Sequence, residues 1–340
     1  MHKNETLYDT LMIELHRDKE LHSIIDRSFN KIKDYNYKLY RYYSLESSCA
    51  LENIKNNIIY GADPREFNDP FDCNPGISVD ELVKMALCHY YKTYIPGIRQ
   101  KTMFEKAINV FSNMSDEKIK LFDTIVKNDM DYLQKCVELA SLLGVAEEFE
   151  TVDFEGIYKY IDEQQHELKN KLSKNIGISC FTTKCDNLLM WSHYANKHTG
   201  ICVEYDFSSL FEVTNKAGLL LPVEYLNDRV CFPFEKTFRY SKNKVTKDTA
   251  RKLLPDFIKM LLRKSEEWKY EEEWRLMIFL REEKERKIYF PHISKIILGC
   301  DFKTENHHLI NSIARDKNIT IEQAVLKRDK FGLELQKVQV

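Results

Sequence analysis

The spacing of hydrophobic residues along this chain predicts long helices at its start and in its middle. Leucine, isoleucine and phenylalanine recur at helical spacing between Glu5 and Lys33, which predicts an N-terminal amphipathic helix. A similar spacing runs almost unbroken from Ser78 to Lys174. We therefore expect a large all-helical insertion there.

Shorter apolar runs on either side of this insertion predict β-strands. They lie at residues 38–43, 58–61, 176–183, 201–206, 219–225, 273–280, 287–290, 294–299, 319–325 and 332–339. Further helices are predicted over 187–195, 246–267 and 303–316. Another helix is predicted to begin at Ser44, which would cap it, with Ser47 and Ser48 as alternative caps.

The order of these elements lacks the regular βαβ alternation of a parallel sheet. It predicts a mixed α+β fold with a mostly antiparallel β core, interrupted by the insertion. Residues 1–75 would form the N-terminal helix and the first part of the core, residues 76–175 the insertion, and residues 176–340 the remainder of the core.

Composition narrows the class of protein. The chain has 340 residues, with 51 basic and 53 acidic side chains, so no global positive field favours nucleic acid. Its 9 cysteines contain no CxxC pair, which argues against a zinc site or disulfide framework and favours a reducing compartment. No signal sequence or apolar run long enough to span a bilayer is present, so we expect a cytoplasmic protein with no membrane partner.

The acidic pair Glu271 and Glu273 is the strongest candidate for chemistry. It precedes an apolar run that predicts a strand, and side chains two positions apart on a strand share a face. Two like charges so close repel each other, which a functional site tolerates more readily than a purely structural one. The alternative is a solvated strand entry paired with Arg275 or Lys269.

Other segments offer weaker candidates. Arg41 stands among tyrosines and can present a planar fork to phosphate or ribose oxygens. Phe181 and Thr182 end a strand. A predicted short helix carries Trp191, Ser192, His193 and Tyr194, a set that fits a pocket wall stacking a planar ring. Each also fits a structural role: a snorkelling arginine, a strand terminus, and a helix packed on the sheet.

Four segments together resemble the bacterial domain of unknown function family 2971 (DUF2971). They are residues 39–46, the turn 67–72, residues 180–200 with the Trp-Ser-His-Tyr helix, and residues 270–275. The order of the motifs is similar to that of ADP-ribosyltransferases, whose split β core presents an arginine, then a hydroxyl or aromatic strand, then a glutamate. The middle strand departs from that pattern, because it reads Ser-Cys-Phe-Thr.

The resemblance implies roles for particular residues. Arg41 would hold the phosphates or ribose of NAD, Thr182 with Ser179 would occupy the middle strand, Glu273 would be catalytic, and Glu271 would act on the acceptor. The ring-binding wall would include Tyr42, Phe181, Trp191, Ser192, His193 and Tyr194. A carboxylate facing the ribose stabilises the positive charge that develops as the nicotinamide bond breaks. This arrangement requires Arg41 and Glu273 to share a face of the sheet.

The expected function is therefore that of an NAD-consuming ADP-ribosyltransferase or NAD glycohydrolase, acting as a toxin or phage-defence effector. NAD would be the substrate, no metal is expected, and the acceptor would be water, protein or nucleic acid. The helical insertion would bind a partner protein or mediate self-association. The alternatives are a non-catalytic sensor module for a nucleotide or peptide, and a metal-dependent nuclease using Asp69, Asp72 and the glutamates.

Overall fold

The computed structural model describes residues 26–28, 30–46, 48–209, 218–231, 257–280, 285–290 and 292–338. Most of the predicted N-terminal helix lies outside these residues, although most of residues 26–33 are helical. The chain divides into two compact units. One contains the described residues up to 73, those from 169 to 228 and those from 257 onward, and the other contains 74–168 and 229–231.

The first unit, which we call the sheet unit, is built on one eight-stranded sheet. Its strands are β1 (Lys38–Tyr43), β3 (Ile176–Thr182), β4 (Ile201–Asp206), β5 (Gly218–Pro222), β8 (Glu273–Phe279), β10 (Ile293–Leu298), β11 (Thr320–Leu326) and β12 (Leu333–Lys337). Their spatial order is β12-β11-β10-β4-β1-β3-β8-β5, and every pairing is antiparallel except the one between β10 and β11. The predicted mixed α+β fold with a mostly antiparallel core is therefore confirmed for the described chain.

Two small sheets and several helices complete the described sheet unit. β2 (Ile58–Tyr60) pairs antiparallel with β9 (Lys287–Tyr289), and β6 (Glu224–Leu226) pairs parallel with β7 (Arg263–Ser265). The helices are α1 (Ser48–Lys55), α8 (Leu188–Tyr194) and α9 (His307–Lys317).

The second unit, which we call the helical unit, has its own apolar core. Its helices are α2 (Val79–Tyr94), α3 (Gln100–Ser112), α4 (Asp116–Lys127), α5 (Tyr132–Leu143) and α6 (Ala146–Glu150). The long helix α7 (Phe154–Asn175) begins in this unit and ends in the sheet unit. Buried side chains such as Leu82, Leu139 and Phe149 form the core, as expected for amphipathic helices that bury one face.

The sheet opens between β1 and β3. These strands meet at a single register pair, Tyr40 with Thr182, whereas β1 pairs with β4 along its whole length. Farther along the same edge of β3, Ala62 takes the place of β1 and exchanges two hydrogen bonds with Ile178, at 2.8 and 3.0 Å. The segment after β2 therefore enters the gap between two strands of the sheet.

Two glycines allow this close approach. A side chain on Gly61 would bring its Cβ to 2.9 Å from the backbone of Gly177, a distance that real Cβ atoms do not show. Only glycine fits where two backbones meet so closely. The predicted split sheet is thus one eight-stranded sheet with a local gap, and its ADP-ribosyltransferase-like character stays a prediction.

Three predicted elements need correction. The helix predicted over 246–267 ends at residue 262 in the described chain, because residues 263–265 pair with β6 and Ser265 then caps a 3-10 helix, Glu266–Glu271. The strand predicted over 219–225 is two strands, because β5 ends at Pro222 and β6 pairs elsewhere. The helix predicted to open at Ser44 begins at Ser48.

Candidate active site

A cavity of about 280 Å³ lies beside the gap between β1 and β3. All of its lining residues belong to the sheet unit. They are Tyr40, Arg41, Tyr42, Glu66, Phe67, Asn68, Asp72, Cys180, Phe181, Thr182, Met190, Tyr194, Lys264, Glu271 and Glu273. Aromatic walls with a few convergent charged groups are typical of a small-molecule site.

The register of the strands places three of these side chains on one face. Tyr40 is paired with Thr182, and Thr182 is paired with Glu273. Residues directly opposite each other on neighbouring strands project to the same side. The three strands that carry the predicted motifs, β1, β3 and β8, are therefore neighbours, and Glu273 projects from the face that carries Tyr40 and Thr182.

Glu271 and Glu273 converge, but not through strand alternation. Glu271 ends the 3-10 helix, Glu272 has a left-handed backbone with φ 43°, and β8 begins at Glu273. Both carboxylates contact the Nζ of Lys264, at 2.6 Å from Glu271 and 3.3 Å from Glu273. The predicted meeting of the two side chains is confirmed, although a tight turn produces it.

Arg275 is the centre of the buried charges beside the cavity. Its guanidinium is fully buried and binds Asp72 through two nitrogens, at 2.7 and 2.6 Å. It also donates to both carboxylate oxygens of Glu273, at 2.8 and 3.1 Å. We call Asp72, Lys264, Glu271, Glu273 and Arg275 the charge cluster. With every member ionised it carries three negative and two positive charges.

The cluster separates the pKa values of the two glutamates. Burial by itself raises the pKa of Glu273, but Arg275 and Lys264 outweigh burial and hold that pKa well below its usual range. Burial dominates at Glu271 and raises its pKa, and Glu273 adds to the rise against the opposing effect of Lys264. Burial alone would lower the pKa of Lys264, but Glu273, Glu271 and Asp72 raise it overall. Glu273 therefore stays ionised to lower pH than an ordinary glutamate, and Glu271 takes up a proton more readily.

The turn at residues 67–72 divides structural and site roles among its side chains. Asp69 accepts a hydrogen bond from the Phe71 N–H at 2.8 Å, which fixes the turn. Asp72 joins the charge cluster, and Asn68 lines the cavity and donates to the Tyr194 hydroxyl at 3.3 Å. Asp69 therefore stabilises the turn, while Asn68 and Asp72 face the candidate site.

Helix α8 supplies only part of the predicted ring-binding wall. Met190 and Tyr194 line the cavity, and the Tyr194 hydroxyl donates to Glu271 at 2.6 Å. This contact and burial raise the pKa of Tyr194. Asn187 caps the helix by accepting from the N–H groups of Leu189 and Met190.

Three predicted members of that wall lie elsewhere. Trp191 is fully buried, donates its indole N–H to the Cys185 carbonyl and packs its ring against the edge of Tyr42. Ser192 and His193 are exposed and are absent from the cavity lining. Successive helical residues point about 100° apart, so a helix cannot place four consecutive side chains in one pocket. Trp191 therefore belongs to the packing of the helix on the sheet.

The predicted partnership of Arg41 with Glu273 is also corrected. Arg41 follows Tyr40 on β1, so its side chain leaves the opposite face from Tyr40, Thr182 and Glu273. Its Nη1 donates to Ser179 Oγ and to the Tyr60 carbonyl, and its guanidinium lies 5.1 Å from the Tyr43 ring centroid. Arg41 borders the cavity at the gap but does not face Glu273 across it.

The remaining predicted residues are buried in the wall of the cavity. Phe181 packs against Tyr205 and Phe207, and Tyr42 donates its hydroxyl to the Lys184 carbonyl. The Thr182 hydroxyl accepts from the Lys184 N–H. The hydroxyls of Tyr42 and Thr182 are therefore engaged by the backbone of Lys184.

Lys264 is the site residue that is hardest to predict from the sequence. It falls inside the segment predicted as a continuous helix, and nothing in its neighbours marks it as buried. A solvated strand entry would place Arg275 at the surface as a partner of the glutamates, whereas the structure buries it. In the described part of the chain, no group of three or more His, Cys, Asp or Glu side chains has the arrangement of a metal site. Within the same residues, no helix combines the length and apolar character needed to cross a membrane.

Comparison with known sequences finds a similarity to one family. A family model described as "Protein of unknown function (DUF2971)" matches residues 190–276, which contain Tyr194, Lys264 and both cavity glutamates. No curated protein and no solved structure matches the chain. Over residues 190–276 the chain is therefore similar to the DUF2971 family, the family that its motifs resemble.

Proposed function

We propose that the cavity cleaves the N-glycosidic bond of NAD or a closely related nucleotide. The observation that carries this proposal is the pair of buried glutamates whose pKa values are shifted in opposite directions at one aromatic cavity. Two carboxyl groups separated in this way are suited to different roles in glycosidic cleavage.

Glu273 serves as the fixed anion. Breaking the bond to nicotinamide leaves positive charge on the ribose, and a permanently ionised carboxylate stabilises that charge most strongly in the transition state. Arg275 and Lys264 keep Glu273 ionised and hold its orientation through the hydrogen bonds described above.

Glu271 serves as the general base toward water or another acceptor. A raised pKa makes a carboxylate a stronger base, and each of its oxygens retains a second lone pair beside the bonds from Tyr194 and Lys264. Tyr40, Phe67 and Tyr194 offer ring faces or edges to the planar part of the ligand.

The ADP-ribosyltransferase arrangement requires Arg41 to share a face with Glu273, and Arg41 leaves the opposite face. We therefore confine the proposal to cleavage at the two glutamates and give Arg41 no role in binding NAD. The Arg41 guanidinium holds Ser179 and the Tyr60 carbonyl, and we assign it to the gap between β1 and β3. Whether the ribosyl group passes to water, a protein or a nucleic acid depends on the acceptor that reaches Glu271. Consumption of NAD would suit a toxin or phage-defence effector.

The test is release of nicotinamide from NAD by the purified protein. We expect release by the unchanged chain, and a loss of at least about 100-fold in Glu273→Gln and Glu271→Gln, the size typical for removal of a general base or charge-stabilising group. Glu272→Gln is the matched control, because Glu272 stands between the two glutamates, binds Thr183 and Lys184, and does not line the cavity.

Two results would count against the proposal. Undiminished release by a folded Glu273→Gln variant would remove the assigned role of Glu273. An absence of release by the unchanged chain, with water and with added protein or DNA as acceptors, would remove the activity itself.

The second candidate is a sensor that binds the nucleotide without consuming it. The favouring observation is that Arg275 and Lys264 already occupy both oxygens of Glu273, which leaves few lone pairs for a ribose hydroxyl. A sensor would show a rise in melting temperature with NAD in both the unchanged chain and Glu273→Gln, without release of nicotinamide.

A further inference from the structure

A second cavity, of about 300 Å³, lies within the helical unit and is separate from the site described above. It is bounded by side chains of α2, α3 and α7. Cavities between helices of a bundle are frequent positions for small-molecule sites.

Each of the two long helices turns one continuous stripe of residues toward this cavity. On α2 the stripe is Met85, Cys88, His89 and Lys92, and on α7 it is Asp153 at the start of the helix with Gly156, Ile157 and Tyr160. Both sets follow the i, i+3, i+4, i+7 spacing of a single helix face. These faces border open space over two turns, whereas most helix faces of this kind are closed by neighbouring side chains.

Gly156 helps to keep that space open. The Asp153 carboxylate accepts a hydrogen bond from the Gly156 N–H at 3.0 Å and so caps the first turn of α7. A Cβ at position 156 would lie 2.5 Å from the Asp153 carboxylate. A larger side chain at this position would therefore require the Asp153 carboxylate, and with it the cap, to shift.

The wall combines adaptable apolar groups with positive charge. Met85 and Met103 have flexible thioether side chains that adjust to ligands of different shape, and Ile157 adds apolar surface. Lys92 and His89 make no hydrogen bond or ion pair through their side chains with the described chain. The Asp153 carboxylate, by contrast, is engaged at the start of α7. Lys92 therefore supplies the positive charge of this wall, and its ammonium group is open to a ligand.

We infer that the helical unit binds a small amphiphile with an anionic head, of which a medium-chain carboxylate is the simplest example. The tail lies among Met85, Met103 and Ile157, and the carboxylate pairs with Lys92. The cavity, of about 300 Å³, has room for a chain of several carbons. This site is independent of the proposed NAD chemistry.

The experiment measures binding of decanoate to the full chain by isothermal titration calorimetry, with 1-decanol as the neutral probe of the same length. Decanoate should bind more tightly than decanol. Lys92→Glu should weaken decanoate at least about fivefold, because charge reversal turns attraction into repulsion, and should leave decanol unchanged. Lys127→Glu is the matched control, because Lys127 also stands in the last turn of a helix in this unit and lies outside the cavity lining.

A second variant tests the position of the tail. Ile157→Phe adds volume inside the cavity and should weaken both probes, whereas Lys92→Glu weakens decanoate alone. Equal binding of decanoate and decanol, or an equal effect of Lys92→Glu and Lys127→Glu, would overturn the assignment of the anionic head. An absence of decanoate binding at millimolar concentration would overturn the site.

Discussion

At the residue scale, the charge cluster is the feature that most constrains this protein. Burying several ionised groups costs free energy unless each is paired and hydrogen-bonded, and here two cations serve three carboxylates. The shortage of positive charge is unevenly shared. Glu273 receives the guanidinium and the ammonium together, whereas Glu271 receives Lys264 and a neutral tyrosine.

This unequal sharing predicts the pH dependence of activity. A base must be ionised to act, so nicotinamide release should fall as the pH drops through the raised pKa of Glu271, above the ordinary glutamate range of about 4.3. The hydrogen bond from Tyr194 opposes that rise. Tyr194→Phe should therefore move the acid limb of log kcat/KM to higher pH. A limb that stays in place would exclude Glu271 as the base.

Arg275 offers a test of the same cluster through stability. Arg275→Met leaves Asp72 and Glu273 buried without their main partner, which should lower the free energy of unfolding by roughly 3–5 kcal/mol. Urea denaturation followed by tryptophan fluorescence measures it, because all 3 tryptophans (Trp191, Trp268 and Trp274) belong to the sheet unit.

Arg263→Met is the control for that measurement. Arg263 pairs with Glu224 at 2.8 Å, but the pair is partly exposed, so its loss should cost less than about 1 kcal/mol. Equal losses in the two variants would contradict the view that burial makes the Arg275 pairings critical.

The stability of the folded protein should also fall as acid protonates Glu273. A carboxyl group whose pKa is lower in the folded state stabilises that state above its unfolded pKa, and it loses this contribution as the pH falls through the folded pKa.

At the scale of elements, the site depends on how short segments are joined to the sheet. Asn187 caps α8 through its carbonyl oxygen and donates from its amide nitrogen to the Tyr270 carbonyl at 2.9 Å. One side chain thereby joins the helix that carries Tyr194 to the 3-10 helix that carries Glu271. Their alignment places the Tyr194 hydroxyl on Glu271.

The two functions of Asn187 can be separated by substitution. Asn187→Ala removes both and should cost roughly 1–2 kcal/mol of stability together with activity. Asn187→Asp retains a good cap but sets a carboxylate against the Tyr270 carbonyl, so it should lose activity with less loss of helix stability. Thermal unfolding by circular dichroism and the nicotinamide assay distinguish these effects. Full activity in both variants would mean that the connection does not position Glu271.

At the scale of the whole molecule, two units with separate cores divide the candidate chemistry. Every residue lining the first cavity belongs to the sheet unit, and every residue lining the second belongs to the helical unit. The clusters of buried apolar side chains follow the same division. A substitution that destabilises one core should therefore increase local unfolding first in the unit that contains it.

Leu139→Ala tests this division in the helical unit. Leu139 is fully buried on α5, and its truncation should cost roughly 2–5 kcal/mol through lost burial and the resulting void. Hydrogen exchange should accelerate in α2 and α5 and stay unchanged in β1, β3 and β8. Leu133→Ala, on the exposed side of the same helix, is the control and should change neither. Faster exchange throughout the sheet would contradict separate cores.

The sequence by itself determined the kinds of element and the chemistry of several residues. The periodicity of the hydrophobic residues distinguished strands from helices, and it located β1, β3, β4, β8 and the helical stretch from residue 78 onward. The closeness of Glu271 to Glu273 also followed from local spacing, even though a left-handed turn at Glu272 replaced the expected strand. Local patterns carry this information because they depend on neighbours along the chain.

Tertiary structure alone decided the partners of those residues. Lys264 contacts both glutamates because the chain turns back between β7 and β8, and Asp72 reaches Arg275 from a segment 203 positions away. The gap between β1 and β3 depends on Ala62 pairing with Ile178. The face on which Arg41 lies follows from the register of β1 with β3, which a single-residue shift would reverse. Register, burial and charge pairing depend on tertiary contacts, so the spacing of residues along the chain does not reveal them.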